Sequence, residues 1–505
     1  MDRRAAFAII AFCGSCDVFW GYTKIPALEG NCQIGGVICQ SYEQCSPESE
    51  TCERRLPQID AASPRVIFSD GGDVVTLTGK YFATDIEVLI DNQPVSMLEI
   101  TSGQEIKFRT KPKSAPVTYG SVPAVLTIRS GSKTLSKPDL LSWSADTATF
   151  NAYSISGVVT ETPATAPASI QIADMDGDGK NDIVSRSAAT GKFHIAKGTV
   201  NGMFSTGVSI GANPAIASGH FITADINNDS RVDLIYWANS STSLRYILNN
   251  GGSSFAAEMV FRAIGGGNYF LGFSDLNKDG KSDLVAIDYS STKFDVYLSN
   301  QVGGIIPAPT ARTFNYPNSF SKVPLFGDID KDGNNDLIIG PDANKVYVNY
   351  GKGDGSFDAP ALVDNGPNAI VAAVVDVDDD GLLDIVFVPN PSIEAYVFRN
   401  MNNRTFSRTA ISLGALSVYA TCFIVSDVNG DGKKDIFLFE RYKQDPSGFA
   451  FMGYGNGTFR SGRQVVSTTF PPIDDDRYGD LNNDGRMDMA LIKYNNNSVY
   501  AVVGK

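Results

Sequence analysis

Seven times, at intervals of 48 to 53 residues, the chain repeats one nine-residue phrase, Asp-x-Asp/Asn-x-Asp-Gly-x-x-Asp. The copies begin at Asp174, Asp225, Asp275, Asp328, Asp376, Asp427 and Asp480. A fixed period near 50 residues means that each copy belongs to one supersecondary unit. Such a unit cannot bury its apolar face alone, so neighbours must stack. Most of the chain is therefore bound to a repeat architecture.

Each phrase sets oxygen-bearing side chains at its first, third, fifth and ninth positions. These are Asp174, Asp176, Asp178 and Asp182 in the first copy, and Asp225, Asn227, Asp229 and Asp233 in the second. The third has Asp275, Asn277, Asp279 and Asp283; the fourth has Asp328, Asp330, Asp332 and Asp336. The fifth has Asp376, Asp378, Asp380 and Asp384. The sixth has Asp427, Asn429, Asp431 and Asp435, and the seventh Asp480, Asn482, Asp484 and Asp488. Oxygen ligands at alternate positions of a tight loop suit calcium, a hard cation that takes six to eight oxygens in a tolerant geometry. The expectation is up to seven calcium ions, with a backbone carbonyl from position seven. Glycine at position six permits the positive φ of the turn in six copies; the second has Ser230, which marks the weakest site. By charge count the first, fourth and fifth copies, with four aspartates each, rank tightest.

An EF-hand loop would need an acid at position twelve. Here that position holds Ser185, Tyr236, Ala286, Ile339, Phe387, Leu438 and Leu491. Apolar strand-like runs such as Leu284-Val285 follow the ninth residue instead of a helix. Each unit reads as strand, acidic loop, strand, polar turn, strand and hairpin, then a fourth strand. The hairpins are Gly/Asn-rich and end in Phe, as in NYGKGDGSF from Asn349. Four strands in each of seven units predict an all-β, seven-bladed β-propeller over 145–505. The seventh unit ends after its third strand, and a strand-like piece at Thr149 to Val159 is expected to complete it.

These loops and hairpins resemble the FG-GAP/VCBS repeats of integrin α-subunit propellers, although NQVGGII from Asn300 and NMNNRTF from Asn400 depart from the hairpin pattern. The resemblance implies structural calcium on one face and ligand engagement by other loops. Residues 57–144 hold a P-x-I start at Pro57 and a Gly-rich run from Gly71 to Phe82, with strands expected at Ile86–Ile90, Ile106–Thr110 and Val122–Ile128. This part resembles an IPT/TIG domain, an immunoglobulin-like β-sandwich.

Six of seven cysteines lie in the first 52 residues. Residues 1–16 read as a signal peptide ending in a lipobox-like Cys13-Gly-Ser-Cys16, with Cys16 the lipidation candidate. Cys32, Cys39, Cys45 and Cys52 in the 17–56 module read as two disulfides, with a zinc site as the alternative. Cys422 reads as a buried thiol. The formal charge is −14, but 24 of the 56 acids are loop aspartates, and the remaining 32 are outnumbered by 42 basic residues. The acidity thus reads mostly as metal ligation, and nothing points to nucleic acid.

Catalysis lacks a signature. Only His194 and His220 exist, neither in a motif, and no nucleophile elbow or phosphate loop occurs. The acidic run Asp474–Asp476 reads as a solvated turn, and Trp237 as core. The expected function is calcium-dependent binding or adhesion at the cell surface, or after secretion. The partner is a protein or glycan engaged through turns such as Tyr289-Ser-Ser-Thr, with any membrane contact through a lipid anchor. The alternatives are a lectin and a polysaccharide-degrading enzyme.

Overall fold

A computed structural model describes short pieces within 19–46 and then residues 51–505, except for 118–119, 146–149, 152–166, 188–189, 200–203, 212–220, 238–242, 264–268, 289–292, 300–311, 316–323, 340–344, 366–368, 390–393, 414–419, 441–447, 467–472, 486, 494–498 and 505. Cys16, Cys32, Cys39, His220 and the proposed contact turns lie outside the described residues. Among the described residues every regular element is a strand. The chain divides into two compact units, Met1–Asp146 and Thr147–Lys505.

In the first unit, alternation decides the fold. Along Val74–Lys80 the side chains of Val75 and Leu77 are buried while Val74 and Thr78 are exposed, the period-two pattern of a strand with one face on a core. A four-stranded sheet of Ser96–Ser102, Glu105–Arg109, Val74–Lys80 and Gln58–Ser63 accompanies a five-stranded sheet built on Glu87–Ile90, Ser121–Ser130 and Lys133–Ser144. Ile67, Phe82, Phe108, Leu126 and Trp143 form their common core, as in a β-sandwich. Upstream, Glu43–Ser46 pairs with Thr51–Arg54, and the register sets Cys45 opposite Cys52.

Among its described residues the second unit holds seven four-stranded antiparallel sheets in succession. The sheet of the fifth copy is typical: Ala369–Val375 precedes the loop, and Asp384–Pro389, Glu394–Asn400 and Phe406–Ser412 follow. The last sheet takes Ile473–Gly479, Asp488–Lys493 and Val499–Gly504 from the end of the chain, and its fourth strand is Phe150–Asn151, with Phe150 opposite Gly504. A segment ahead of the first repeat therefore completes the last one. Asp474–Asp476 corrects the sequence reading: these residues lie within Ile473–Gly479, with Asp476 opposite Leu491, and form no turn. The strand ahead of each loop is fixed by the repeat register and backbone pairing, which tolerate acids where composition suggests a turn.

Among the described residues, apolar clusters lie between six of the seven neighbouring pairs of sheets. One joins the first to the second through Met175, Phe193, Leu234 and Tyr236, and others join second to third, third to fourth, fourth to fifth and fifth to sixth. Ile170, Ile183, Leu481 and Ile492 join the first sheet to the seventh, so the series closes on itself, consistent with a β-propeller. Two parts of the repeat explain this stacking. The second loop residue, apolar in every copy, packs towards the following sheet, as Leu276 and Ile329 do. The hairpin Phe packs towards the preceding one, as Phe357 and Phe406 do.

Candidate metal centre

Backbone donors shape each loop before any ion is considered. In all seven copies Oδ2 of the first aspartate accepts the N–H of position six, at 2.8–2.9 Å, as in Gly333 to Asp328 and Gly381 to Asp376. Oδ1 of the fifth-position aspartate accepts the N–H of position seven, as in Lys180 to Asp178 at 2.9 Å. Position six has positive φ throughout, including Ser230 at 65° where the other copies have glycine. Position four is left-handed as well, at Gly177, Asn228, Lys278, Lys331, Asp379, Gly430 and Asn483. Sequence reading missed this second bend. Its signal is present in the glycines and asparagines at four of those positions, residue types that tolerate this region.

The ninth aspartate does something the spacing did not reveal. Asp182, Asp233, Asp283, Asp336, Asp384 and Asp435 are buried, and each carboxylate takes at least two backbone N–H groups. One comes from loop position two, as Val377 to Asp384 at 2.9 Å. The other comes from the end of the third strand, as Asn400 to Asp384 at 2.7 Å. The pair of bonds clamps the loop's entry to the sheet. Asp488 likewise accepts from Leu481 at 2.7 Å. Burial outweighs these bonds and neighbouring carboxylates add to it, so Asp182, Asp233, Asp336 and Asp384 are pushed up to about 6. Asp435 is raised further for the same reason.

The remaining oxygens converge. In three loops a trio of carboxylates brings oxygens within 4.8 Å of one another: Asp174, Asp176 and Asp182; Asp328, Asp330 and Asp332; Asp376, Asp378 and Asp384. Oδ1 of Asp328, Asp376 and Asp378 is buried with no hydrogen-bond partner among the described residues. A buried carboxylate oxygen left without a donor is costly, and a hard cation is the partner that relieves it. Oxygen-only donors on a pre-bent loop fit calcium and are poor for zinc or copper, which favour nitrogen and sulfur. The loops of the third, sixth and seventh copies have the same backbone hydrogen bonds, with Asn277, Asn429 and Asn482 at position three.

Of the two histidines, His194 is described. It lies in Phe193–Gly198, and its Nδ1 is 2.9 Å from Ser209 Oγ, an ordinary cross-strand contact. Trp237 lies in Asp233–Trp237 opposite Leu244, and Cys422 in Ala420–Ser426 opposite Phe439.

No curated protein matches this sequence. Among solved structures, the BP39L lectin from Burkholderia pseudomallei is similar in fold at 12% identity and a TM-score of 0.50, over 66% of this chain and 95% of that one. An auxiliary nutrient binding protein from Bacteroides ovatus ATCC 8483 is similar at 11% identity and a TM-score of 0.39, over 89% of this chain and 98% of that one. The FG-GAP-like repeat model matches six overlapping stretches, 174–236, 225–286, 275–339, 328–387, 376–438 and 427–491, and the IPT/TIG model matches 57–142. Those repeats span well over half of the sequence, and the chain therefore belongs to the FG-GAP-like repeat family, with an IPT/TIG domain ahead of its repeats.

Proposed function

We propose that this is an exported, non-enzymatic binding protein whose repeat unit is stiffened by calcium and presents loops to a protein or glycan. One observation carries the metal part: Asp328, Asp376 and Asp378 belong to converging carboxylate trios, and each has a buried oxygen without a hydrogen-bond partner among the described residues, in loops that backbone donors have already bent. Membership of the repeat family supports a binding role, and a lectin shares the fold. Export and a lipid anchor at Cys16 follow from the sequence of the first 16 residues, and a cross-strand disulfide between Cys45 and Cys52 from their register.

The test is a count of bound metal on the purified chain, paired with thermal melts of calcium-loaded and metal-stripped protein. Five to seven calcium ions, as the loops provide, and a melt that falls by many degrees on stripping are expected. A metal-free protein with an unchanged melt would overturn the scaffold. The loaded protein is then put on a glycan array: calcium-dependent retention of a sugar assigns the glycan, and silence there directs the search to protein ligands.

A further inference from the structure

The seven loops differ at position three, and the surrounding structure differs with it. Four loops have asparagine there, and its Nδ2 donates to the fifth-position aspartate: Asn227 to Asp229 at 2.8 Å, Asn277 to Asp279 at 3.3 Å, Asn429 to Asp431 at 3.4 Å and Asn482 to Asp484 at 3.1 Å. Three loops have aspartate there, and in each a basic side chain from elsewhere in the fold takes Oδ2. Lys197 Nζ lies 2.9 Å from Asp176, Arg399 Nε 2.6 Å from Asp378, and Arg404 Nε 2.8 Å from Asp330.

Placement argues against coincidence. Lys197 and Arg399 are equivalent residues, each just before the amide that donates to the ninth aspartate of its own loop. Where position three is asparagine, that place holds Leu248, Leu298 and Met452 in the sheets whose donor is described. The fourth sheet has aspartate at position three but Tyr350 at that place. There the guanidinium comes from the next sheet: Arg404 stacks over the Tyr350 ring at 3.8 Å and reaches Asp330. Arg404 ends a run of three left-handed residues, Asn402, Asn403 and Arg404, with φ of 67°, 52° and 60°. This is the NMNNRTF hairpin that departs from the Gly-rich pattern. An arginine held in that backbone region is strained, and its contacts with Asp330, Asp358 and Tyr350 supply the compensation. The bases at position seven behave differently. Lys180 and Arg231 fold onto position five whether position three is Asp176 or Asn227, so they do not track it.

We propose that Lys197, Arg399 and Arg404 are built-in counter-charges of the calcium loops, each neutralising the fourth aspartate and fixing its carboxylate so that one oxygen is presented to the ion. This rests on the calcium reading above. Asp378 shows the arrangement most clearly: its side chain is 4% exposed, Oδ2 is held by Arg399, and Oδ1 is buried without a hydrogen-bond partner among the described residues. The fourth aspartate thus adds a ligand oxygen without adding net charge, and the three four-aspartate loops lose the advantage that a count of acids gives them.

The test uses the full chain and three variants, R399L, D378N and the double R399L/D378N. Bound calcium is measured by equilibrium dialysis against buffered free calcium, and melts are taken on metal-stripped protein. Removing the cation leaves the loop one charge more negative, so R399L should bind calcium about tenfold more tightly at one site and melt lower when stripped. D378N should weaken one site about tenfold, and the double variant should return both readouts towards wild type. An ion pair with a merely structural role would lower both melts and leave calcium affinity alone. Calcium shifts of the same sign in the two single variants, or a double variant no better than the worse single one, would overturn the proposal. The half-exposed Arg404 gives a second set, R404L, D330N and R404L/D330N, with the same expected signs if R399L folds poorly. If the wild type takes up no calcium, the metal reading itself fails, and this inference falls with it.

Discussion

Asn400 ties two sheets together, and replacing it tests whether the repeat unit is held by such ties independently of metal. Its side chain is buried at 2% exposure at the end of the third strand of the fifth sheet. Nδ2 donates to the carbonyl of Ile329 in the preceding loop at 2.6 Å and to that of Leu383 in its own loop at 3.1 Å. Asn249 makes the same bridge from the second sheet to Met175 of the first loop, at 2.7 Å. Asn400→Ala leaves both carbonyls without that donor. At roughly 1–3 kcal/mol for each buried acceptor, and with Leu383 only partly buried, the loss should be about 2–4 kcal/mol. Asn400→Asp should cost more, because it sets a carboxylate against two carbonyl oxygens. The exposed Ser407→Ala on the neighbouring strand should stay within about 0.5 kcal/mol. The assay is denaturant unfolding with saturating calcium, repeated on metal-stripped protein. An Asn400→Ala loss no larger than that of Ser407→Ala, or one that vanishes on stripping, would refute the reasoning.

Acidity should act in opposite directions on the two metal states. The carboxyls of Asp182, Asp233, Asp336 and Asp384 titrate near 6 when folded, against an ordinary 3.8. Between those values the metal-free folded chain holds protons that the unfolded chain releases. That stabilisation is complete below about pH 4 and is lost as pH rises through 6. Calcium requires the ionised forms, so the gap between loaded and stripped melting temperatures should narrow from pH 7.5 to 5; a constant gap would count against these ligands. Ser230→Gly removes a left-handed non-glycine and should stabilise the chain by up to about 1 kcal/mol, after allowing for glycine's freedom when unfolded. A lower melt for that variant would show that Ser230 makes a contact worth more than its strain. Non-reducing peptide mapping should recover Cys45 linked to Cys52, and free thiols at both would remove the disulfide from the proposal.

The spacing of the acidic residues, the period and the strand order were legible because each is local. Side chains at alternate positions of nine residues either surround an ion or do not, and period-two alternation marks a strand wherever it lies. The chain's identity as a series of acidic loops between β-strands needed no more than that. What the tertiary structure decided is which parts of distant repeats meet. Arg404 finds Asp330 from 74 residues away, Phe150–Asn151 completes a sheet whose other strands lie at the far end of the chain, and Asp474–Asp476 sits in a strand despite its composition. The ninth aspartate looked like one more ligand and proved to clamp its loop to the third strand as well. None of these follows from spacing within a repeat, because each depends on the register in which one sheet stacks on the next, and that register is set by side-chain packing between sheets.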